Sequence, residues 1–384
     1  MLRKGTFILM KTKIQDMTSG SPGRLIILFA IPLMLGNICQ QLYTMVDTMV
    51  VGQIAGVEAL AALGAVDFLM WVVTGISTGL TQGFSIQLSQ YYGAKDFENL
   101  RKSLAHSYRL TAFIAAGVLI LSQLFASLVL TGLHTPSNII GMSLLYLRII
   151  FCGIPATAAY NMFASALRAM GNSKTPLTAM IIASVLNVSL DILFVAGFGW
   201  GVAGAAIATV IAQSFSAVYC FLILRRIDIV HLTRADFMPA SGMNARLMKL
   251  GIPVVFQNII IGVGGLVVQY VINGYGFLFV AGFTATNKLY GLLEMAAISY
   301  GYAIVTYVGQ NLGAGKIDRI RKGVRSSMLL SLLTSLIISA AMFLFGKNIL
   351  SLFISGEPQQ TQQVLAIAFK YLSITVSYTH LRAH

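Results

Sequence analysis

The sequence has few charged residues and few cysteines. Only 10% of its 384 residues are Asp, Glu, Lys or Arg, whereas 57% are hydrophobic and the mean hydropathy is +0.81. This balance excludes an ordinary soluble globular domain. The three cysteines, Cys39, Cys152 and Cys220, lie in apolar stretches without metal-ligand spacing. We therefore expect neither a disulfide framework nor a cysteine metal site.

Long apolar runs occupy nearly the whole chain, and each meets the requirement of roughly 20 residues for an α-helix to cross a bilayer. They cover residues 25–51, 58–91, 104–132, 139–170, 174–198, 201–226, 246–275, 280–312, 322–346 and 350–379. Runs of this length predict an all-α, polytopic membrane protein. Several are longer than the bilayer requires, so tilted or protruding helices are expected.

The distribution of positive charge predicts how the chain is oriented. The formal net charge is +14, and most Lys and Arg residues lie before the first run and in alternate connections, such as 225–249 and 316–325. Connections between these, such as 52–57 and 198–201, contain neither residue type. By the positive-inside rule, we expect the amino terminus to be cytoplasmic. We further expect a multi-pass protein of the cytoplasmic (inner) membrane. Topology thus explains the charge, and no nucleic-acid partner is expected.

An internal repeat divides the chain into two related halves. Residues of the first half recur 220 or 221 positions later, and the matching pairs are Pro32 and Pro253, Asn37 and Asn258, Gln90 and Gln310, and Gly93 and Gly313. Because six runs separate the copies, both begin on the same side of the membrane, which defines a parallel repeat. Two six-helix lobes related in this way are typical of alternating-access transporters.

The repeat sets the expected domain boundaries. We assign residues 1–24 to a cytoplasmic segment, 25–226 to an N-lobe, 227–245 to a cytoplasmic linker, 246–375 to a partial C-lobe and 376–384 to a foreign or truncated tail. Two further runs follow Tyr146 in the first copy, whereas the sequence ends soon after the equivalent Tyr371. About ten of twelve transmembrane helices are therefore expected in this chain, by analogy with the first copy.

Carboxylates within the apolar runs are the best candidates for a functional site. Asp47 lies in the first run, where an ionised carboxylate costs roughly 2.5–3.5 kcal/mol on insertion scales. Asp191 follows Asn187 by four residues on the fifth run, so both side chains share a helix face. Both aspartates lie past the midpoint of runs that cross in the same direction. Thr209 and Gln213, again four residues apart, occur on the sixth run among small residues that allow close helix packing.

This set of polar groups predicts a cation site. Two carboxylates, an amide and a hydroxyl at similar depth suit a hard monovalent cation or a shared proton. Two carboxylates held close in low dielectric titrate as a pair. The alternative is that Asp47 and Asp191 are unrelated packing residues. For Asp67, near the outer end of the second run, a solvated or capping role is the preferred interpretation.

Several motifs together give the sequence a resemblance to a known family. They are Tyr43-(x)3-Asp47-Thr48, residues 168–176 (RAMGNSKTP), Asn187-(x)3-Asp191 followed by residues 201–209 (GVAGAAIAT), and residues 308–316 (VGQNLGAGK). Over residues 20–375, the chain resembles the multidrug and toxic compound extrusion (MATE) family, in its DinF-like branch. The resemblance implies twelve helices in two six-helix lobes, and export of amphipathic, often cationic compounds driven by inward flow of Na+ or H+.

The resemblance also implies roles for individual residues. The cation-coupling residues would be Asp47, Asn187, Asp191 and Thr209, the cluster already reached by spacing. Gln40, Tyr43, Tyr146 and Asn161 match positions that line the substrate cavity, and Pro32 matches the proline at which the first helix bends. From the residues alone, Gln213 and Lys288 are further candidates for the cavity.

The leading hypothesis is a secondary active antiporter, not an enzyme, that exports small-molecule drugs or metabolites. We expect a monomer in the lipid bilayer with no cofactor other than the coupling ion, and no metal site apart from Na+ at the four coupling residues. A flippase of a lipid-linked oligosaccharide is the alternative within the same superfamily, but only Arg148 and Lys288 could supply the cationic cavity that it needs. A membrane-embedded enzyme is disfavoured, because none of the five His residues pairs with an intramembrane Ser or Cys motif.

Overall fold

The computed structural model describes residues 14–133, 135–273, 275, 277–351 and 362–372. Throughout these ranges the chain is helical, with short connections and no β-strand. The long elements are α1 (Pro22–Ile54), α2 (Val57–Gly64), α3 (Asp67–Gly93), α4 (Phe97–Gly132), α5 (Ile140–Cys152), α6 (Ile154–Ala169), α7 (Lys174–Asp191), α8 (Gly201–Leu224), α9 (Met243–Asn273), α10 (Phe277–Gly313) and α11 (Ile317–Ser351). Residues 362–372 form a further helix. The all-α prediction is therefore confirmed.

Six of the described helices are long and apolar enough to cross a membrane, or eight if each of two bent pairs is counted as one span. The bent pairs are α2 with α3, at 40°, and α5 with α6, at 46°. The runs 58–91 and 139–170 are thus broken helices rather than continuous ones. In the second pair, Gly153 lies at the break and Pro155 stands in the first turn of α6, where a missing backbone N–H costs nothing. The runs 280–312 and 350–379 correspond to α10 and to residues 362–372.

The fifth predicted span changes its helix type near its end. After α7 ends at Asp191, residues Ile192–Gly197 continue as a π-helix, a rare element that occurs mostly at functional sites. Gly199 and Gly201, with φ of +69° and +53°, then reverse the chain into α8. A side chain at Gly204 would come within 3.0 Å of Phe194, so α8 packs tightly on the π-helix.

The two lobes meet along α3 and α9. Gly83 on α3 faces Gly251 on α9 so closely that a methyl group on Gly83 would overlap with the Gly251 backbone. At the ends of α3 and α10, a methyl group on Gly93 would likewise overlap with the backbone of Gln310, and one on Gly313 with that of Gln90. These four residues are two pairs of repeat equivalents, so the contact is reciprocal. It confirms the parallel repeat.

The connections rich in Lys and Arg, such as 225–249 and 316–325, lie together at one end of the helices. We call this end of the protein the basic face. The segment between α8 and α9, predicted as a linker over 227–245, contains two short 3-10 turns there and docks on α4. His106 of α4 is buried and contacts Asn244 Oδ1 at 2.7 Å and the Met238 carbonyl oxygen at 3.1 Å. The other predicted boundaries stay predictions, and residues 1–13 and 376–384 lie outside the described ranges.

Candidate functional site

Two buried aspartates lie in the first lobe, on helices that pack against each other. Asp47 on α1 is 5% exposed and Asp191 at the end of α7 is 0% exposed. One oxygen of Asp47, Oδ1, and both oxygens of Asp191 have no hydrogen-bond partner among the described residues. None of the ion pairs in the described ranges includes either carboxylate. Buried charged oxygens without partners are costly, so this arrangement fits a site that a cation or proton occupies during function.

The two carboxylates interact electrostatically. Asp47 and Asp191 lie close enough for the charge of one to act on the other. Like charges at this depth repel each other strongly because little water screens them. A cation between them would relieve this repulsion and the desolvation of both groups at once. Both predicted carboxylates are thus brought together by the packing of α1 on α7.

Asn187 and Thr209 add two further oxygen atoms beside Asp191. Asn187 is fully buried one turn before Asp191, and its Nδ2 donates a hydrogen bond to Thr209 Oγ1 on α8 over 3.4 Å. Its Oδ1 has no partner among the described residues. The amide therefore points its NH2 group towards the hydroxyl of Thr209. Its carbonyl oxygen can accept a hydrogen bond from a ligand or coordinate a cation. Oxygen ligands of this kind suit hard cations.

Aromatic and amide groups border the aspartates. Gln213 Nε2 donates to the hydroxyl of Tyr43 over 3.4 Å, while Gln213 Oε1 has no partner in the described part of the chain. Tyr146 on α5 is buried, and the charges of Asp47 and Asp191 both act on it. Tyr43 lies one turn before Asp47 on the same helix. The structure therefore places Tyr43, Tyr146 and Gln213 around the pair of carboxylates.

Three more of the predicted residues lie on α1 and α6. Gln40 is exposed on α1, where its side chain interacts with that of Tyr43. Asn161 on α6 donates to Thr78 Oγ1 of α3 over 3.3 Å. Pro32 is buried within α1, which runs as one helix from Pro22 to Ile54. The side chain of Lys288 lies outside what the structure describes.

Asp67 lies exposed at a helix end, in agreement with the solvated or capping role predicted for it. It is the first residue of α3, it is exposed, and its charge acts on both Asp47 and Tyr146. The 27 residues of α3 span about 40 Å at 1.5 Å per residue, more than the roughly 30 Å of a hydrocarbon core. Asp67 therefore lies at the end of α3 opposite the basic face, as a third carboxylate beside the buried pair. The break between α2 and α3, which makes Asp67 the first residue of a helix, was not predicted from the sequence.

Metal-binding clusters of the usual kind are not found in this region. Within the described ranges, no group of three or more His, Cys, Asp or Glu side chains could hold a metal ion. The candidate site instead combines two carboxylates with an amide and a hydroxyl. This mixture has too few strong ligands for a transition metal and suits a weakly bound, exchangeable monovalent cation.

Comparison with known proteins gives consistent results. The MatE family model matches residues 32–193 and 253–382. The probable multidrug resistance protein YpnP of Bacillus subtilis is 31% identical over 370 residues, which cover 95% of this chain and 83% of that protein. YoeA, another probable multidrug resistance protein of Bacillus subtilis, is 28% identical over 94% of this chain and 79% of its own length. A solved structure of a MOP superfamily transporter from Pyrococcus furiosus superimposes with a TM-score of 0.90, at 22% identity, over 97% of this chain and 82% of that one.

Proposed function

Because this chain belongs to the MatE family of multidrug transporters, we propose that it is a secondary active antiporter. It exports amphipathic, often cationic small molecules by alternating access, in exchange for inward flow of H+ or Na+. The observation that carries this proposal is the pair of buried carboxylates, Asp47 and Asp191, with oxygens that lack partners. If the two carboxylates had only a structural role, we would expect them to form ion pairs or to accept hydrogen bonds.

The coupling ion binds at Asp47, Asn187, Asp191 and Thr209. With the ion absent, two negative charges repel each other across the contact between α1 and α7. With the ion bound, that repulsion is relieved and α1 can pack more closely on α7 and α8. Since Tyr43 and Asp47 are on the same helix, a shift of α1 also moves the wall of the substrate cavity.

Exchange requires that ion and substrate favour different conformations. The substrate binds beside Tyr43, Tyr146 and Gln213 in one conformation, and the ion stabilises the other. A differential affinity of about 1–3 kcal/mol is the usual size of such coupling. Each ligand then shifts the equilibrium only by its own preference between the two states. Flexible, largely apolar walls with a few polar groups accept ligands of different shapes.

The proposal includes an orientation. The amino terminus and the basic face are cytoplasmic, in accordance with the positive-inside rule, and the protein acts as a monomer in the cytoplasmic membrane without a cofactor. The aspartates then lie in the outer half of the membrane, where Asp67 faces the outside. The branch of the family is the DinF-like one, in which the cation site lies in the N-lobe.

The proposal is tested in proteoliposomes with a fluorescent cationic dye and with Na+ and pH gradients imposed separately. We expect one gradient to drive dye transport in the wild type, and Asp47→Asn and Asp191→Asn to abolish that dependence. Asp318→Asn, at an exposed position on the basic face, is the matched control and keeps wild-type transport. Undiminished gradient-driven transport by Asp47→Asn would refute the proposed coupling site.

A further inference from the structure

A short segment before α1 lies between the two lobes at the basic face. We call residues 15–18 the N-terminal strap. Met17 is fully buried, and its side chain packs in a cluster with Phe29 of α1 and Tyr307 of α10. A polar stretch ahead of the first span is usually a mobile tail. Here it is part of the core instead.

The backbone of Met17 is held by the second lobe. Its N–H donates to Gln310 Oε1 over 3.0 Å, and its carbonyl oxygen accepts from Asn311 Nδ2 over 2.9 Å. Gln310 and Asn311 are both fully buried. Arg319 supports this arrangement, because its Nε donates to Asn311 Oδ1 over 3.0 Å. Two adjacent side chains of α10 thus replace the backbone partners that Met17 would have in a helix or sheet.

The first lobe holds the same strap from the other side. The N–H of Gln15 donates to the Gly171 carbonyl oxygen over 3.1 Å. Gly171 has a φ of +90°, and any side chain there would overlap with the backbone of Gln15. Gln310 also reaches across, since its Nε2 donates to the Ala169 carbonyl oxygen over 2.8 Å. One glutamine side chain therefore joins the strap, α10 and the end of α6.

The strap also has a preformed shape. Asp16 Oδ1 accepts from the Thr18 N–H over 2.8 Å, and Asp16 Oδ2 accepts from Ser19 Oγ over 3.2 Å. Although partial burial opposes it, these hydrogen bonds and the charge of Lys316 hold the pKa of Asp16 below its usual value. Lys316 Nζ donates in turn to the Thr18 carbonyl oxygen over 2.9 Å. This turn places Met17 between the two lobes. Because the turn is already formed, little conformational entropy is lost when Met17 binds there.

From these contacts we infer that the N-terminal strap is a gate element, which Gln310 and Asn311 hold in position. It must leave its place between the two lobes each time the basic face opens. The inference rests on the proposed alternating-access cycle. When the lobes separate at this face, Gln310 cannot keep both Met17 and Ala169 as partners. The backbone N–H and C=O of Met17 then lose their protein partners and must bond to water. The strap therefore leaves its position between the lobes. Closure of this face is complete only when the strap returns.

Reversible cross-linking tests the inference directly. Thr18→Cys and Lys316→Cys are combined in a protein whose native cysteines are replaced, and a short cleavable bis-thiol reagent joins them. We expect dye transport to fall at least tenfold on cross-linking and to return when the link is cleaved. Each single-cysteine variant should transport dye at the same rate before and after treatment with the reagent. Unchanged transport with the link intact would show that the strap does not move in the cycle.

Spin-label distances give a readout that does not depend on transport. Labels at Arg226 and Lys322, exposed at the basic face in the first and second lobes, report its opening. Gln310→Ala and Asn311→Asp should raise the ratio of open to closed distances about tenfold, which corresponds to about 1.4 kcal/mol. Asn311→Asp keeps the acceptor for Arg319 and removes the donors to the carbonyl oxygens of Met17 and Tyr307. Arg319 Nη2 still donates to the Met17 carbonyl oxygen over 3.4 Å, so this variant weakens the hold on the strap without removing it.

Gln90→Ala is the matched control, since Gln90 is the repeat equivalent of Gln310 and makes no hydrogen bond to the strap among the described residues. Its distance ratio should equal that of the wild type. Equal ratios in all four proteins would overturn the inference. If ion coupling failed but these distances shifted as expected, the gate would stand and only the coupling proposal would fall.

Discussion

The side-chain amide of Asn187 donates a hydrogen bond to Thr209 over 3.4 Å and keeps its carbonyl oxygen without a partner among the described residues. This one contact ties α7 to α8 and decides which end of the amide faces the aspartates. A hydroxyl on α8 therefore acts on the candidate cation site through the orientation of a residue on α7.

Thr209→Val should weaken ion binding without unfolding the lobe. Valine has almost the same shape but cannot accept the hydrogen bond, so the amide of Asn187 loses its fixed orientation. We expect the apparent affinity for the coupling ion to fall about tenfold, in line with the roughly 1–3 kcal/mol cost of an unsatisfied buried donor. The measurement is the ion-concentration dependence of dye transport. Thr131→Val, at an exposed position on α4, is the control, and an equal loss there would contradict the explanation.

Asp67→Asn should slow the arrival of the ion rather than abolish coupling. Asp67 is exposed at the outer end of α3, and its charge acts on the buried pair. Exposed charges attract ions over about 10 Å at 0.1 M ionic strength and over about 3 Å at 1 M. We expect transport to fall a few-fold at low ionic strength and to match the wild type at high ionic strength. A deficit that is independent of ionic strength would rule out electrostatic attraction.

Gly83→Ala should destabilise the contact between the lobes. The added methyl group would overlap with Gly251 on α9, so α3 and α9 must separate. Gly117→Ala on α4 is the control, because nothing lies within 4 Å of its Cβ position and alanine favours a helix by up to about 1 kcal/mol. We expect a lower unfolding temperature in detergent for Gly83→Ala, and an unchanged or higher one for Gly117→Ala. Equal values would mean that α3 and α9 do not need this close contact.

Asp236→Asn should loosen the linker between the lobes in a pH-dependent way. Although burial opposes it, hydrogen bonds from Thr233 and the nearby charge of Arg101 lower the pKa of Asp236. A lowered pKa means that the carboxylate stabilises the folded state above its unfolded pKa, and that this stabilisation is lost as pH falls through the lower folded value. We expect a loss of about 1 kcal/mol at pH 7, typical for a capping residue.

That loss should shrink as the pH falls below about 4, the ordinary pKa of an aspartate. Thermal unfolding of the wild type and of Asp236→Asn across pH 3–7 measures the difference. Asp228→Asn, where the aspartate side chain is fully exposed, provides the comparison and should have little effect at any pH. A constant difference between wild type and Asp236→Asn would assign the effect to packing instead of charge.

Spacing along single helices predicted that Asn187 and Asp191 share one helix face. Asn187 and Asp191 are four residues apart, and the structure buries both on the same stretch of α7. Period and composition suffice here because both residues belong to one regular helix. Whether these residues couple an ion stays a prediction until transport is measured.

Features that depend on helix breaks or distant contacts could not be predicted in this way. The apolar run 58–91 hides the break before Asp67, so the sequence did not show that this residue begins a helix. The strap is a stronger case. Met17 meets Gln310 across 293 positions of sequence, and nothing in the local pattern of residues 14–18 indicates a buried peptide. Gln310 and Asn311 stood out only as part of a repeat and a motif, without a partner.

The reciprocal contact of Gly93 with Gln310 and of Gly313 with Gln90 has the geometry of an isologous dimer interface within one polypeptide. Each lobe presents the same patch to the other, so a six-helix chain that carried it would be self-complementary. Fusing two such chains in tandem needs no inversion, because an even number of spans returns the chain to its starting side. In the fused chain, the N-terminal strap comes from the first lobe alone. The contact between the lobes is therefore symmetric in α3 and α10 but asymmetric where the strap lies between them.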